Sequence, residues 1–190
     1  ALSATAKTLN AYGFDTSEAD RIQKILIQTQ NKGITTVGEL GASLSQVTPT
    51  AAAFGVSFEN VGAALSNMTA QGTPTAQATT QLNALIAELG KQGTTGAKAL
   101  EKAAKGTKYA GMSFKEMMEA GAPLNEVLDM MQKSADSSGV SMVDLFSSIE
   151  AGKAALAMSG ENSEKFADNL EAMGTSADVV TEAYDKVSNT

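Results

Sequence analysis

The sequence contains no cysteine, no histidine and no tryptophan among its 190 residues. Without cysteine it has no disulfide bond, no thiolate nucleophile and no thiolate ligand for zinc. Without histidine it lacks the usual general base near neutral pH, so a Ser-His-Asp triad cannot be built within this chain. Aromatic residues make up only 5% of the sequence, which predicts a core of aliphatic residues and methionine.

Positive charge is also scarce, because Arg21 is the only arginine and the formal net charge is −7. Nucleic-acid binding depends on clustered lysine and arginine, so direct contact with DNA or RNA is disfavoured. No apolar run approaches the roughly 18 residues of a membrane span. We expect neither a membrane span nor a signal peptide in this segment. A first residue other than methionine indicates a piece of a longer or processed chain.

Apolar residues recur with the 3.6-residue spacing of amphipathic helices along almost the whole chain, and no sustained alternation of period two is present. We therefore predict an all-α fold, a compact domain of short amphipathic helices. The predicted faces are Ala19, Ile22, Ile25, Leu26 and Thr29; Phe58, Val61, Leu65 and Met68; Leu82, Leu85, Ile86 and Leu89; Leu124, Val127, Leu128 and Met131; Met142, Leu145, Phe146 and Ile149; and Val180, Ala183, Tyr184 and Val187.

Glycine and proline separate these faces in the manner expected between helices. Glycines just after a periodic segment suit the left-handed position that ends a helix, and prolines suit a helix start. The glycines are Gly13, Gly33, Gly72, Gly90 and Gly121, and the prolines are Pro74 and Pro123. The stretch 90–96 is the richest in glycine and predicts a flexible linker. It divides the chain into helical subdomains at 1–89 and 97–190.

A Gly-x-Ser pattern followed by an apolar residue occurs at Ser57, Ser113 and Ser141. We interpret each serine as a helix N-cap, whose hydroxyl accepts from an N–H of the first turn. Ser113 with Glu116, and Thr36 with Glu39, have the spacing of a capping box. A phosphate-binding loop requires a Gly-Lys-Ser/Thr ending that is absent here.

Carboxylates are the only plausible catalytic groups in this composition. Glycoside hydrolysis needs two of them across a cleft, one with a raised pKa. The acids considered are Glu59, Glu88, Glu116, Glu119, Glu150 and Glu161. Solvated acids near helix N-termini explain most of them. Asp129 and Asp136 lack the spacing of a calcium loop, so we predict no catalytic residue, no metal site and no cofactor.

Nine methionines include the doublets Met117-Met118 and Met130-Met131. One member of each doublet must point away from a single helix face. Filling of gaps in a core with few aromatics is one explanation. Contact of the outward methionines with another subunit or a partner helix is the other, and the sequence leaves both open.

The chain resembles the core region of the tape-measure proteins of long-tailed bacteriophages and prophages. The similar segments keep the family's order over nearly the whole chain. They are VGELGASLSQVTPTAAAFGVSF at 37–58, VGAALSNMTAQGTPTAQATTQLNAL at 61–85, SFKEMMEAGAPLNEVL at 113–128, DLFSSIEAGKAAL at 144–156 and AYDKVSNT at 183–190.

The resemblance implies a non-catalytic structural role in tail assembly and in setting tail length. It implies a place in the lumen of the tail tube and, during assembly, in the bacterial cytoplasm. It implies the tail tube protein and tail assembly chaperones as partners, and self-association stays open. The Glu-Ser and Gly-Leu-Met-Gln pattern of lytic transglycosylases is absent. The alternatives are a domain associated with peptidoglycan hydrolysis and a generic helical interaction module.

The glycine and proline breaks bear on how such a segment is built. One continuous helix of this length would span roughly 285 Å, whereas a compact fold would have a radius of gyration of ~16 Å. The breaks favour the compact form. We therefore expect a globular helical module and not a stretch of measuring rod.

Overall fold

The computed structural model describes residues 2–174. That range contains helices and turns and no strand, which confirms the all-α class. The α-helices are α1 (Leu2–Tyr12), α2 (Ala19–Lys32), α3 (Val37–Ser43), α4 (Thr48–Ala53), α5 (Phe58–Ala70), α6 (Thr75–Gly90), α7 (Thr95–Ala104), α8 (Phe114–Glu119), α9 (Leu124–Ser138), α10 (Ile149–Met158) and α11 (163–174). Short 3-10 helices cover Thr16–Glu18, Leu44–Gln46, Met142–Leu145 and Gly160–Asn162.

Helix α5 is the central element of the fold. Eleven of its thirteen residues are buried, whereas a surface helix buries only one stripe. It packs against α2, α4, α6 and α10, and α6 packs most extensively against α10. Helix α1 lies on α2, α3 and α4. A single cluster of buried apolar side chains extends from Ala4 to Met173.

The surrounding helices bury several polar side chains of α5, and these side chains form hydrogen bonds. The Ser66 hydroxyl donates to the Gly62 carbonyl at 2.8 Å. The Asn67 side-chain amide donates to the Asn162 carbonyl at 3.0 Å. The Asn60 side-chain oxygen accepts from the Leu124 N–H at 3.0 Å. Since a buried polar group left without a partner destabilises a fold, these bonds fix how α9 and residues near 162 meet α5.

Most of the predicted helix faces are confirmed. Residues Ile22, Ile25, Leu26 and Thr29 are buried on α2, and the four predicted residues on each of α5, α6 and α9 are buried as well. The face at Val180, Ala183, Tyr184 and Val187 lies outside the described residues. Both predicted proline starts are confirmed, because α6 and α9 begin directly after Pro74 and Pro123.

The predicted helix face at Met142, Leu145, Phe146 and Ile149 is wrong as a single helix, although Met142 and Phe146 are buried. Met142–Leu145 is a 3-10 helix, and Phe146 after it is extended. The Ser148 hydroxyl then accepts from the Ala151 N–H at 3.1 Å, so α10 starts anew at Ile149. Since the helix restarts in a different register, Ile149 is 76% exposed.

The N-cap predictions are confirmed at Ser57, whose hydroxyl accepts from the Asn60 N–H at 3.2 Å. Both capping boxes, at Thr36 with Glu39 and at Ser113 with Glu116, are also present. Ser141 caps the short 3-10 helix Met142–Leu145 instead of an α-helix.

The glycine predictions are confirmed at three positions of five. Gly13, Gly72 and Gly121 have φ of 68°, 101° and 89°, in the left-handed region. Gly33 follows α2 in an extended conformation with φ −110° and ψ −168°, and Gly90 is still inside α6. At those two positions the left-handed prediction is wrong.

Close packing explains the glycines at 33 and 90. A β-carbon on Gly33 would lie 3.0 Å from the α-carbon of Ser66 on α5. One on Gly90 would lie within 2.6 Å of the Phe54 ring. Real β-carbons do not approach other atoms so closely, so these glycines let two helices or a ring come near the backbone.

Residues 91–94 connect α6 to α7, so positions 90, 95 and 96 of the predicted linker lie in helices. Gly90 ends α6, and the Thr94 hydroxyl caps α7 by accepting from the Ala97 N–H at 3.1 Å. The flexibility of this stretch, and the division into subdomains at 1–89 and 97–190, stay predictions.

Candidate functional site

A cleft of about 390 Å³ runs between α7 and residues 111–116, and Glu101 and Glu116 both line it. The Glu116 carboxylate accepts from the Ser113 N–H at 3.0 Å as part of the capping box. This backbone bond, and then the bond with the Ser113 side chain, lowers the pKa of Glu116. A glycosidase proton donor needs a raised pKa, so Glu116 is unsuited to that role.

Three more of the acids considered from sequence lie in first helical turns. Glu59 lies in the first turn of α5 and forms an ion pair with Arg21. Arg21 also forms an ion pair with Glu18, with its Nε 2.7 Å from Glu18 Oε2. Glu150 is in the first turn of α10, and Glu161 is in that of the 3-10 helix Gly160–Asn162. Negative charge at these positions complements the helix dipole, which is the structural role expected from the sequence.

Glu119, Asp129 and Asp136, which were also considered from sequence, have partners close in sequence or on a neighbouring helix. Glu119 pairs with Lys115 one helical turn earlier, at 3.8 Å. Asp136 accepts from the Gln132 amide at 2.9 Å, and Asp129 accepts from the Ser163 hydroxyl at 2.7 Å. In the part of the chain that the structure describes, no three carboxylates or other candidate ligands are grouped to hold a metal.

Glu88 differs from the other acids because it is buried, with 6% of its surface exposed. No lysine or arginine within residues 2–174 forms an ion pair with it. Its carboxylate instead accepts bonds from Gly96, Ser147 and Ser148. The sequence offered one signal for this position, since Glu88 follows Leu85 of the predicted apolar face by three residues and so lies beside it on the helix.

Both methionine doublets pack into the protein. Met117 and Met118 are 0% and 7% exposed, and Met131 is 0% exposed. Met130 is partly buried and packs against the core cluster. Filling of the core, the first of the two explanations from sequence, therefore accounts for these side chains.

Comparison with known proteins connects this helical fold to phage tails. The model of a family described as phage-related minor tail protein matches residues 1–146. The chain belongs to this family. A curated protein of Clostridium phage phiCD119, described as a probable tape measure protein, is 68% identical over 190 residues. Those residues are 100% of this chain and 20% of that protein, so the chain spans about one fifth of its relative. No solved structure matches the chain.

This member of the minor tail protein family has an exposed apolar surface at the start of α10. Val143 and Ile149 are 38% and 76% exposed. They flank a cleft of about 500 Å³ that Phe146, Gly152 and Lys153 also line. Within residues 2–174, no helix is both long enough and apolar enough to cross a bilayer.

Proposed function

We propose that this chain is a non-catalytic structural segment of a phage or prophage tape-measure protein, acting in tail assembly and in the determination of tail length. The observation that carries the proposal is the 68% identity with a probable tape measure protein along the entire chain. The order of similar segments noted in the sequence agrees with it. The engaged carboxylate of Glu116 supports a role without glycoside chemistry.

Within such a protein, we propose that the segment is a folded module and not part of a measuring rod. The longest helix of residues 2–174 is α6, with 16 residues, which corresponds to only ~24 Å of rod. The buried polar side chains of α5 and the continuous core support the folded form, because a single extended helix would expose both.

The proposal places the protein in the lumen of the tail tube, and in the bacterial cytoplasm while the tail assembles. Its proposed partners are the tail tube protein and the tail assembly chaperones, and self-association is a further possibility within the same proposal. The net charge of −7 supports a role without direct nucleic-acid binding, since phosphate recognition depends on clustered positive charge.

An in-frame deletion of residues 1–190 in a phage that carries this segment tests the role. We expect missing or malformed tails by electron microscopy. Normal yields of infectious particles with unchanged tails would overturn the role in assembly. Well-formed tails shortened by roughly 285 Å, the length of one continuous helix, would overturn the module.

A pair of substitutions on α6 tests whether tail assembly requires the folded segment or only its presence in the chain. Leu82 is 0% exposed and Gln77 is exposed, so Leu82→Asp places a carboxylate in the core and Gln77→Asp places one in water. Leu82→Asp should reproduce the deletion defect, and Gln77→Asp should assemble normally. Clearing of a peptidoglycan suspension by the purified chain would overturn the non-catalytic part of the proposal.

A further inference from the structure

Helices α6 and α10 pack against each other although more than fifty residues separate them in sequence. Between them the chain forms α7, α8, α9 and the 3-10 helix Met142–Leu145. The chain therefore leaves α6 through the turn at 91–94 and returns to it through the turn at 146–148. Both turns lie beside the C-terminal part of α6, where Glu88 is buried.

The two oxygens of the Glu88 carboxylate each accept bonds from these turns. Oε2 accepts from the Gly96 N–H at 2.8 Å and from the Ser147 N–H at 2.9 Å. Oε1 accepts from the Ser148 N–H at 2.8 Å and from the Ser147 hydroxyl at 3.1 Å. One oxygen is thus shared by two turns that lie about fifty residues apart in the chain.

The packing at Gly96 is a second and independent observation. A β-carbon on Gly96 would lie 2.8 Å from Glu88 Oε2 and 3.1 Å from a ring carbon of Phe146. The first turn of α7 therefore touches both the carboxylate and the other turn. The Thr94 hydroxyl also donates to the backbone carbonyl of Glu88.

We propose that Glu88 couples these two turns, so that residues 91–96, which are the turn after α6 and the start of α7, and the turn at 146–148 open together. We call the carboxylate with its four donors the Glu88 clasp. The clasp adds a hinge at 146–148 to the flexible linker predicted from sequence at 90–96. This coupling concerns the opening of this chain alone and does not depend on the proposed role in phage tails.

Amide hydrogen exchange by NMR of the 190-residue chain tests the coupling, because the donors in the clasp are themselves exchange probes. Gly96→Ala places a methyl group against the Glu88 carboxylate and the Phe146 ring, so it disturbs the contact between the two turns. It should speed exchange at Ser147 and Ser148 by about 10- to 100-fold, the effect of losing hydrogen bonds to a buried charge. Thr95→Ala, at an exposed neighbouring position, is the matched control and should leave both rates unchanged.

Two patterns of exchange in Gly96→Ala would overturn the coupling. In one, faster exchange stays confined to residues near 96. In the other, Leu65 in the middle of α5 accelerates by the same factor as Ser147, which would mean that the whole fold had been weakened. A rise in the Thr95→Ala control equal to that of Gly96→Ala would also overturn it.

If Gly96→Ala fails to fold, amide exchange in a second variant and in the unsubstituted chain tests the same coupling. Glu88→Gln replaces one oxygen, which has two donors, by an amide that cannot accept from either. Whichever oxygen is replaced, exchange should rise at Gly96, Ser147 and Ser148 together, while Glu101→Gln, exposed on α7, should have no effect. In the unsubstituted chain, the amides of Gly96, Ser147 and Ser148 should show one common dependence on low denaturant. Separate dependences would refute the coupling.

Discussion

The contact between α2 and α5 leads to a specific prediction at Gly62. A β-carbon on Gly62 would lie 2.8 Å from Thr29 Oγ1 and 3.1 Å from Ile25 Cγ2, both on α2. Gly62→Ala therefore forces α2 and α5 apart or drives their side chains out of preferred rotamers. The Thr29 hydroxyl donates to the Ile25 carbonyl at 2.8 Å, so it is not free to rotate away without losing that bond.

The expected magnitude follows from two opposing effects. Alanine in a helix interior is favoured over glycine by about 1 kcal/mol. Overpacking of a close helix contact costs about 1–3 kcal/mol. Gly41→Ala on α3 gains the first effect without the second, because its β-carbon would meet only Ala4 Cβ at an ordinary 3.5 Å. The free energy of unfolding of Gly62→Ala should therefore lie about 1–3 kcal/mol below that of Gly41→Ala.

Urea denaturation followed by circular dichroism measures both variants against the unsubstituted chain. The midpoints should differ while the slopes stay equal, which indicates a change in stability alone. Adding Thr29→Ala to Gly62→Ala removes the nearest atom and should recover part of the loss. Equal stability of Gly62→Ala and Gly41→Ala would refute the close contact between α2 and α5.

Three further predictions concern single side chains. Burial raises the pKa of Tyr12, so the stability gained from its neutral form is present below pH ~10 and lost as the pH rises. In urea denaturation, Tyr12→Phe should reduce the loss of stability above pH ~10 and, by losing the bond to the Val56 carbonyl, lower stability near neutral pH by about 1 kcal/mol. Ser113→Ala should cost about 1 kcal/mol of stability as a lost N-cap. In NMR titrations the pKa of Glu116, held low by its bonds to Ser113, should rise, and an unchanged value would contradict the cap. Leu82→Ala, at a fully buried position, should lower the urea midpoint by the equivalent of about 2–5 kcal/mol.

Local signals explain why so much of the helical architecture could be predicted from the sequence. A capping box such as Ser113 with Glu116 forms within four residues, and its donors and acceptors are fixed by the local backbone. The 3.6-residue periodicity of α2, α5, α6 and α9 reflects burial of one helix side. Both signals hold whichever elements pack nearby.

The errors concern positions decided by contacts between distant parts of the chain. Gly33 and Gly90 are glycine because Ser66 and Phe54 come close to them. The positions of glycine and proline along the sequence cannot indicate such contacts. Ile149 continues a helical spacing, but the extended backbone of Phe146 ends one helix before α10 begins.

Glu88 belongs to a group of acids most of which the sequence assigns to solvated positions, whereas its donors come from residues that fold back onto α6. An acid three residues after Leu85, beside a predicted apolar face, is a weak signal of such a position. The identity of its partners could come only from the tertiary structure, because Gly96 and Ser147 are separated by about fifty residues.

We expect this segment of a phage tail protein to fold as a compact helical module in solution. Small-angle X-ray scattering of the purified 190-residue chain tests it most directly. We expect a radius of gyration of ~16 Å. A profile of a rod hundreds of ångströms long would contradict it, since one helix of this length spans roughly 285 Å.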